Sequence, residues 1–254
     1  STQHAEPIWA YPNWTRLDNP MQKPLFPWPG GKRRLAKHIL PIIHGTPHRT
    51  YVEPFAGGAA ILFMRDPAPV EVINDTHGEL VRLYRCVQHH LEELCRQFKW
   101  ALVSREMFRW AQLQHTDTLT DIQRAARFFY LQRLAFGGKV VGQNFGTSAT
   151  TAPRINLVRL EEDLSMAHLR LSRVTIENLP WQDVMRRYDK PETLFFLDPP
   201  YWQTMGYGGA FGLQEHQQLA EAMAKVQGKA LLTINDHPDM HGVYGAMRAT
   251  PMRT

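Results

Sequence analysis

Two clusters of short apolar runs, most of them ending in charge, bracket a long stretch in which apolar residues recur at helical spacing. In the first cluster TYVE (50–53) and VEVIND (70–75) read as strands, with a helix over 58–64 between them and another over 32–43 before them. Helical spacing then holds from 78 to 136, through LVRLYRCVQHHLEELCRQF and DIQRAARFFYLQRLAF. The second cluster supplies the strands RVTIEN (173–178), TLFFL (193–197) and KALLTIND (229–236). Helices are predicted over 157–169, over WQDVMRRY (181–188) and over LQEHQQLAEAMAKV (213–226). Alternating strands and helices make an α/β fold, here a doubly wound sheet carrying an inserted, mainly helical lobe.

The remaining stretches lack a period. Residues 1–20 hold three prolines and read as an irregular arm. GGKVVGQNFGTSATTAP (137–153) is rich in Gly, Ser and Thr, a loop or loose hairpin of a length that often serves binding. A second glycine-rich loop, GYGGAFG (206–212), is expected to act as a lid.

With 254 residues and 43% hydrophobic content the chain can bury a sizeable core. A net charge of +5 favours an anionic partner such as nucleic acid. No apolar run approaches the roughly 20 residues that span a bilayer, and the amino terminus lacks the layout of a signal peptide. Cys86 and Cys95 are too few for a disulfide scaffold or a cysteine zinc site, which points to a reducing compartment. His237 and His241 have Pro238 between them and no nearby Glu, so they read as surface or core residues, and no metal is expected.

Ligands of a doubly wound sheet bind beyond the carboxyl ends of its strands. After TYVE, Gly57 and Gly58 allow a tight turn and close approach of a ligand. Asp75 ends the second strand, where a carboxylate either caps the following helix or accepts from two ribose hydroxyls. GGKR (30–33) is not a phosphate-binding GxxxxGK[ST], and FAGGAAI (55–61) is not GxGxxG. A nucleoside cofactor without a pyrophosphate remains, and S-adenosylmethionine is the natural candidate.

The run LFFLDPPYWQ (194–203) turns from apolar to polar at Asp198. A nucleobase amine is a poor nucleophile because its lone pair is delocalised into the ring. The Asp198 carboxylate and the Pro199 carbonyl could hold both amino hydrogens and leave the lone pair aimed at an electrophilic methyl, with Pro199 and Pro200 fixing the backbone. Tyr201 would stack on the base, which must leave the duplex to be reached.

These residues resemble a known family. PWPGGKRRL (27–35), VEPFAGGAA (52–60), IND (73–75) and DPPY (198–201) look like the Dam-type, D12-class DNA adenine-N6 methyltransferases, in the same order. The resemblance implies a Rossmann-like methyltransferase sheet over 21–86 and 171–254, and a DNA-recognition lobe over 87–170. By position alone Lys32 is a cation at a helix start. The resemblance matches Trp28, Gly30, Gly31 and Lys32 to the family's first motif and implies cofactor contacts from Trp28, Gly31 and Lys32, with Lys32 near the methionine portion. It also implies cofactor contacts from Glu53, Phe55, Gly57, Asp75 and Asp198, and places Asn178, Leu179 and Trp181 beside the adenine. Catalysis falls to Asp198, Pro199, Pro200 and Tyr201.

FFYLQRLAFGGKV (128–140) resembles the family's DNA-contacting stretch, with Gln132 and Gly137 where Asn is usual. Arg124, Arg127, Arg133, Lys139 and Asn144 are then the expected DNA ligands, although a charged helix face is as readily a solvated one. The resemblance further implies double-stranded DNA as partner and S-adenosylhomocysteine as product. A monomer in solution is expected, with two copies able to meet on one duplex, in the cytoplasm of a bacterial or phage-infected cell. The family usually continues past the strand matching 229–236 with a hairpin, so the short extension to Thr254 is expected to leave that edge open. Cytosine-N4 methylation and a non-catalytic remnant that binds cofactor and DNA are the alternative readings.

Overall fold

An apolar run long enough for one strand can be buried on both faces only if helices cover both, and the fold is built on that requirement. The computed structural model describes residues 23–146, 156, 159–203, 211–248 and 250. In chain order its elements are α1 (Ala36–His44), β1 (Thr50–Glu53), α2 (Ala60–Met64), β2 (Val70–Asn74), α3 (Gly78–His89), α4 (Leu91–Arg96), α5 (Arg105–Leu113) and α6 (Asp121–Leu134). There follow α7 (Leu160–Leu171), β3 (Val174–Glu177), α8 (Trp181–Tyr188), β4 (Thr193–Leu197), α9 (Leu213–Lys225), β5 (Lys229–Leu232) and α10 (Pro238–Tyr244). The five strands form one parallel sheet in the order β3-β2-β1-β4-β5.

The period of two along each strand sorts its side chains between two cores. Tyr51, Ile73, Leu194 and Phe196 join a large cluster with α1, α2, α3, α6 and α7. Val52, Val72, Phe195 and Leu197 face the other way, onto Trp181, Val184 and Met185 of α8 and Leu219 of α9. The helix α3 buries Leu80, Leu83, Tyr84 and Val87 at helical spacing. It meets α6, which is buried almost all round and begins at a capping box between Thr120 and Gln123. One apolar cluster therefore runs without a break from the sheet into the inserted helices.

The predicted elements recur with two differences of substance. The strand read over 229–236 stops at Leu232, because the side chains of Thr233 and Asn235 turn to hold the loop after β4. Beyond it α10, not predicted, buries Met240 and Tyr244. His237 caps that helix by accepting from Asp239 N at 3.2 Å, and His241 meets Asp236 at 2.6 Å, so both histidines have local work. The glycine-rich loop after α6 closes on itself as far as described, with an antiparallel bridge from Ala135 to Phe145. The expected arm over 1–20 and residues 206–210 of the expected lid lie outside the described residues. Among the described residues no helix is long and apolar enough to cross a membrane.

Candidate active site

The strand β1 lies between β2 and β4, and the chain winds outward from it in both directions. Such a switch point opens a crevice at the carboxyl ends of its strands. The turn after β1 puts Gly57 at φ 48°. A β-carbon there would stand 2.6 Å from Trp28 Nε1, and one on Gly58 would stand 2.8 Å from Trp28 Cβ. The two glycines are thus explained by the indole that packs on them. Tyr84 OH donates to Gly57 O at 2.7 Å, and Ala56 N donates to Asn74 O at 2.8 Å.

Asp75 accepts from Gly57 N at 2.9 Å on one oxygen and from His77 N at 2.8 Å on the other. The carboxylate therefore closes the glycine turn and begins α3, and each oxygen retains a further acceptor position. Burial pushes its carboxyl above the usual range, against the backbone N–H groups of His77 and Gly57. Asn178 Nδ2 donates to Asp75 O at 2.7 Å, which brings the tip of β3 to the same place. Phe55, half-buried, lies between Trp181 and Phe211, with ring centroids at 6.1 and 5.5 Å.

Lys32 arrives from the other side. Gly31 N donates to Trp28 O at 3.0 Å, closing a turn that leads into a 3-10 helix over Lys32–Arg34. The ammonium, on a side chain only 5% exposed, sits 2.6 Å from Asp198 Oδ1 and 4.4 Å from the centroid of the Tyr201 ring. The resemblance implies a place near the methionine portion of a cofactor; the structure puts Nζ on the carboxylate that follows β4. Thr233 Oγ1 donates to the same Asp198 oxygen at 2.8 Å. Burial pushes the Asp198 carboxyl up, and the Lys32 charge pulls it back. Pro199 is buried beside it.

Three residues of this frame escaped the sequence reading. Asn74 is buried and donates to Pro54 O at 2.9 Å and Leu179 O at 3.0 Å, while Leu179 N donates to its Oδ1 at 2.8 Å. One amide thereby knits the loops after β1 and β3. Asn235 brackets Trp202, accepting from its N at 3.1 Å and donating to its O at 3.0 Å, and Trp202 Nε1 donates to Asp239 at 2.9 Å. Together with Thr233 it pins the loop of Asp198 to Trp202 against β5. The available signal was the pair of amides and the Thr set at strand ends, in VEVIND and KALLTIND.

The expected DNA ligands divide. Arg124 pairs with Glu79. Arg127 donates to Ala111 O at 2.6 Å and Gln112 O at 3.3 Å, tying α6 to α5. Arg133 donates to Leu25 O at 2.8 Å and lies 3.4 Å from Asp163. These guanidinium groups are engaged within the fold, Arg133 from a largely buried side chain and Arg124 and Arg127 from partly exposed ones. Lys139 and Asn144 are exposed on the turn after α6, and Arg109 is exposed on α5.

Glu53, 2% exposed, accepts from Tyr51 OH at 2.8 Å, and burial raises its carboxyl to about 7. The folded state then keeps a proton that the unfolded chain has released, so stability falls as pH rises from about 4.5 through 7. Urea unfolding of the wild type and of Glu53→Gln should diverge across this window. The wild type is expected to lose on the order of 3 kcal/mol relative to the variant between about pH 5 and 8. Parallel pH profiles would show that Glu53 is ionised throughout.

A family model of D12 class N6 adenine-specific DNA methyltransferase matches residues 28–244. The chain is 27% identical over 217 residues to "Type II methyltransferase M.CviBI" of Paramecium bursaria Chlorella virus NC1A, covering 84% of this chain and 82% of that protein. It is 27% identical over 192 residues to "Type II methyltransferase M1.LlaDCHI" of Lactococcus lactis subsp. cremoris, covering 70% and 66%. To the "DNA N-6-adenine-methyltransferase" of Escherichia phage P1 it is 24% identical over 242 residues, covering 88% of this chain and 31% of the other.

Proposed function

The chain belongs to the D12 class of N6 adenine-specific DNA methyltransferases, and from that premise we propose that it takes the methyl group from S-adenosylmethionine and delivers it to an adenine turned out of the duplex into the crevice between β1 and β4. The observation that carries this reading is the place of the Lys32 ammonium. A cationic amine sits on Asp198 Oδ1 and over the face of Tyr201, which is where the exocyclic amine of a stacked base would sit. Lys32 yields that place when the base arrives.

The residues around the glycine turn fit such a cofactor. Asp75 has an acceptor position left on each oxygen for a pair of hydroxyls, and Phe55, Leu179 and Trp181 form an apolar wall beside Asn178. When bound, S-adenosylmethionine supplies an electrophilic methyl carbon on a sulfonium. Asp198 accepts one hydrogen of the amine and the Pro199 carbonyl the other, which frees the nitrogen lone pair for the methyl. Thr233 fixes the carboxylate while this happens, and Tyr201 holds the ring. Turning the base out costs a few kcal/mol, which stacking on Tyr201 offsets in part. Lys139, Asn144 and Arg109 carry contacts to the DNA backbone in this reading, in place of the arginines engaged within the fold.

Incubation with tritiated S-adenosylmethionine and unmethylated duplex DNA should place label in N6-methyladenine. Label in N4-methylcytosine would favour the cytosine reading, and cofactor binding without transfer would favour a remnant. Asp75→Ala is expected to weaken cofactor binding by about 10- to 100-fold, the worth of hydrogen bonds to a charged group, with DNA affinity near wild type. An effect confined to DNA affinity would remove Asp75 from the cofactor site.

A further inference from the structure

We propose that Gln132 is a positioning residue that couples engagement of DNA by the 136–146 turn to the segment carrying Trp28 and Lys32, so that DNA and cofactor strengthen each other's binding. The inference rests on the placement of cofactor and DNA proposed above. Gln132 is fully buried near the end of α6. Its amide donates to Pro27 O at 2.9 Å and to Gly138 O at 2.5 Å, and its Oε1 accepts from Gln143 Nε2 at 3.2 Å. Gln143 in turn donates to Lys139 O at 2.9 Å and accepts from Gln112 of α5 at 2.8 Å. One buried side chain thus holds three strands of backbone or side chain that belong to different parts of the site.

The turn also touches the Pro27 backbone directly. Gly138 lies at φ 69°, and a β-carbon there would stand 3.0 to 3.2 Å from Pro27 O, Cβ and C. Pro27 is followed by Trp28, whose indole fills the space over Gly57 and Gly58, and four residues later comes the lysine held by Asp198. Arg133 anchors the same segment at Leu25 O. A shift of the turn on meeting DNA is therefore passed to the glycine turn and to Asp198 through packed, hydrogen-bonded groups. By linkage, whatever factor DNA adds to cofactor affinity the cofactor adds to DNA affinity.

The coupling is read by equilibrium binding of S-adenosylhomocysteine to the full chain, with and without saturating unmethylated duplex DNA, so that no turnover intervenes. In the wild type, DNA should tighten the product by at least about five-fold, the low end of typical coupling. Gln132→Met keeps the volume and removes both donors; the ratio should fall to near one while each ligand's affinity alone stays close to wild type. Gln143→Ala, at a half-buried position, should lower the ratio too, and it decides the matter if Gln132→Met does not fold. An unchanged ratio in the variants overturns the proposal, as does a general weakening of both ligands with the ratio intact, which marks a structural role. A wild-type ratio of one with both ligands bound overturns it as well. Failure of the functional reading looks different: the wild type would then bind no product or no DNA on its own.

Discussion

Asp198→Asn is expected to lower the rate of methyl transfer by about 10²- to 10³-fold, the scale lost when one preorganised electrostatic contact to reacting atoms is removed. Asparagine keeps the shape of the side chain and an oxygen for Thr233, which donates to Asp198 at 2.8 Å. It removes the charge that draws an amine, and with it the charged partner of the Lys32 ammonium. Asparagine is the sharper substitution, because its oxygen can still accept from Lys32 and Thr233, whereas alanine would leave both buried donors without an acceptor, a change that destabilises the fold by itself. Single-turnover transfer and equilibrium binding of DNA and cofactor, measured on the same preparation, separate the roles. Loss of transfer with both affinities within a few-fold of wild type places Asp198 at the reacting nitrogen. Equal loss of transfer and of DNA affinity would make it a structural residue of the loop.

The parts of this site that follow directly from strand patterning were legible in the sequence. An apolar run that ends in a carboxylate at a sheet's edge announces itself, and VEVIND and TLFFLDPPY both do so. Local residues therefore gave the positions of β1, β2, β4 and α8 to within a residue or so at each end. The contacts that hold these strand ends together from distant parts of the chain were not legible. Thr233 meets Asp198 across 35 positions, and Asn74 meets Leu179 across 105. The period of KALLTIND continues through Asp236, so nothing local shows that the side chains of Thr233 and Asn235 serve the neighbouring loop. Position alone made Lys32 a cation at a helix start, and only the folded chain sets it on Asp198. The arginines of α6 show the same limit. Their charge pattern suits a DNA-facing surface, but the number of carbonyls waiting for Arg127 and Arg133 depends on how α5 and the 25–28 segment pack.

A second large effect is expected at the opposite end of the sheet, where Glu71 begins β2. Its Oε1 accepts from Arg65 at 2.6 Å and Arg170 at 2.9 Å, and its Oε2 accepts from Arg170 at 2.5 Å. Arg170 also donates twice to Leu62 O, so it fastens α7 to both α2 and β2. All three side chains are at least nine-tenths buried. Removing the one carboxylate strands two guanidinium groups away from water, so Glu71→Ala should cost about 3 to 5 kcal/mol. For a chain of this size that is a fall in Tm of roughly 6 to 20 °C. Because the network lies at the amino ends of the strands and the crevice at their carboxyl ends, transfer rate and cofactor affinity should be unchanged below the transition. Replacing Glu71, Arg65 and Arg170 together by apolar residues of similar volume should recover much of the loss, since the buried charges are then gone rather than unpaired. Thermal unfolding and transfer assays on the single and triple variants test this together. A loss of transfer in Glu71→Ala at temperatures where the fold is intact would mean that the two ends of the sheet are coupled, with β2 carrying the effect to Asp75.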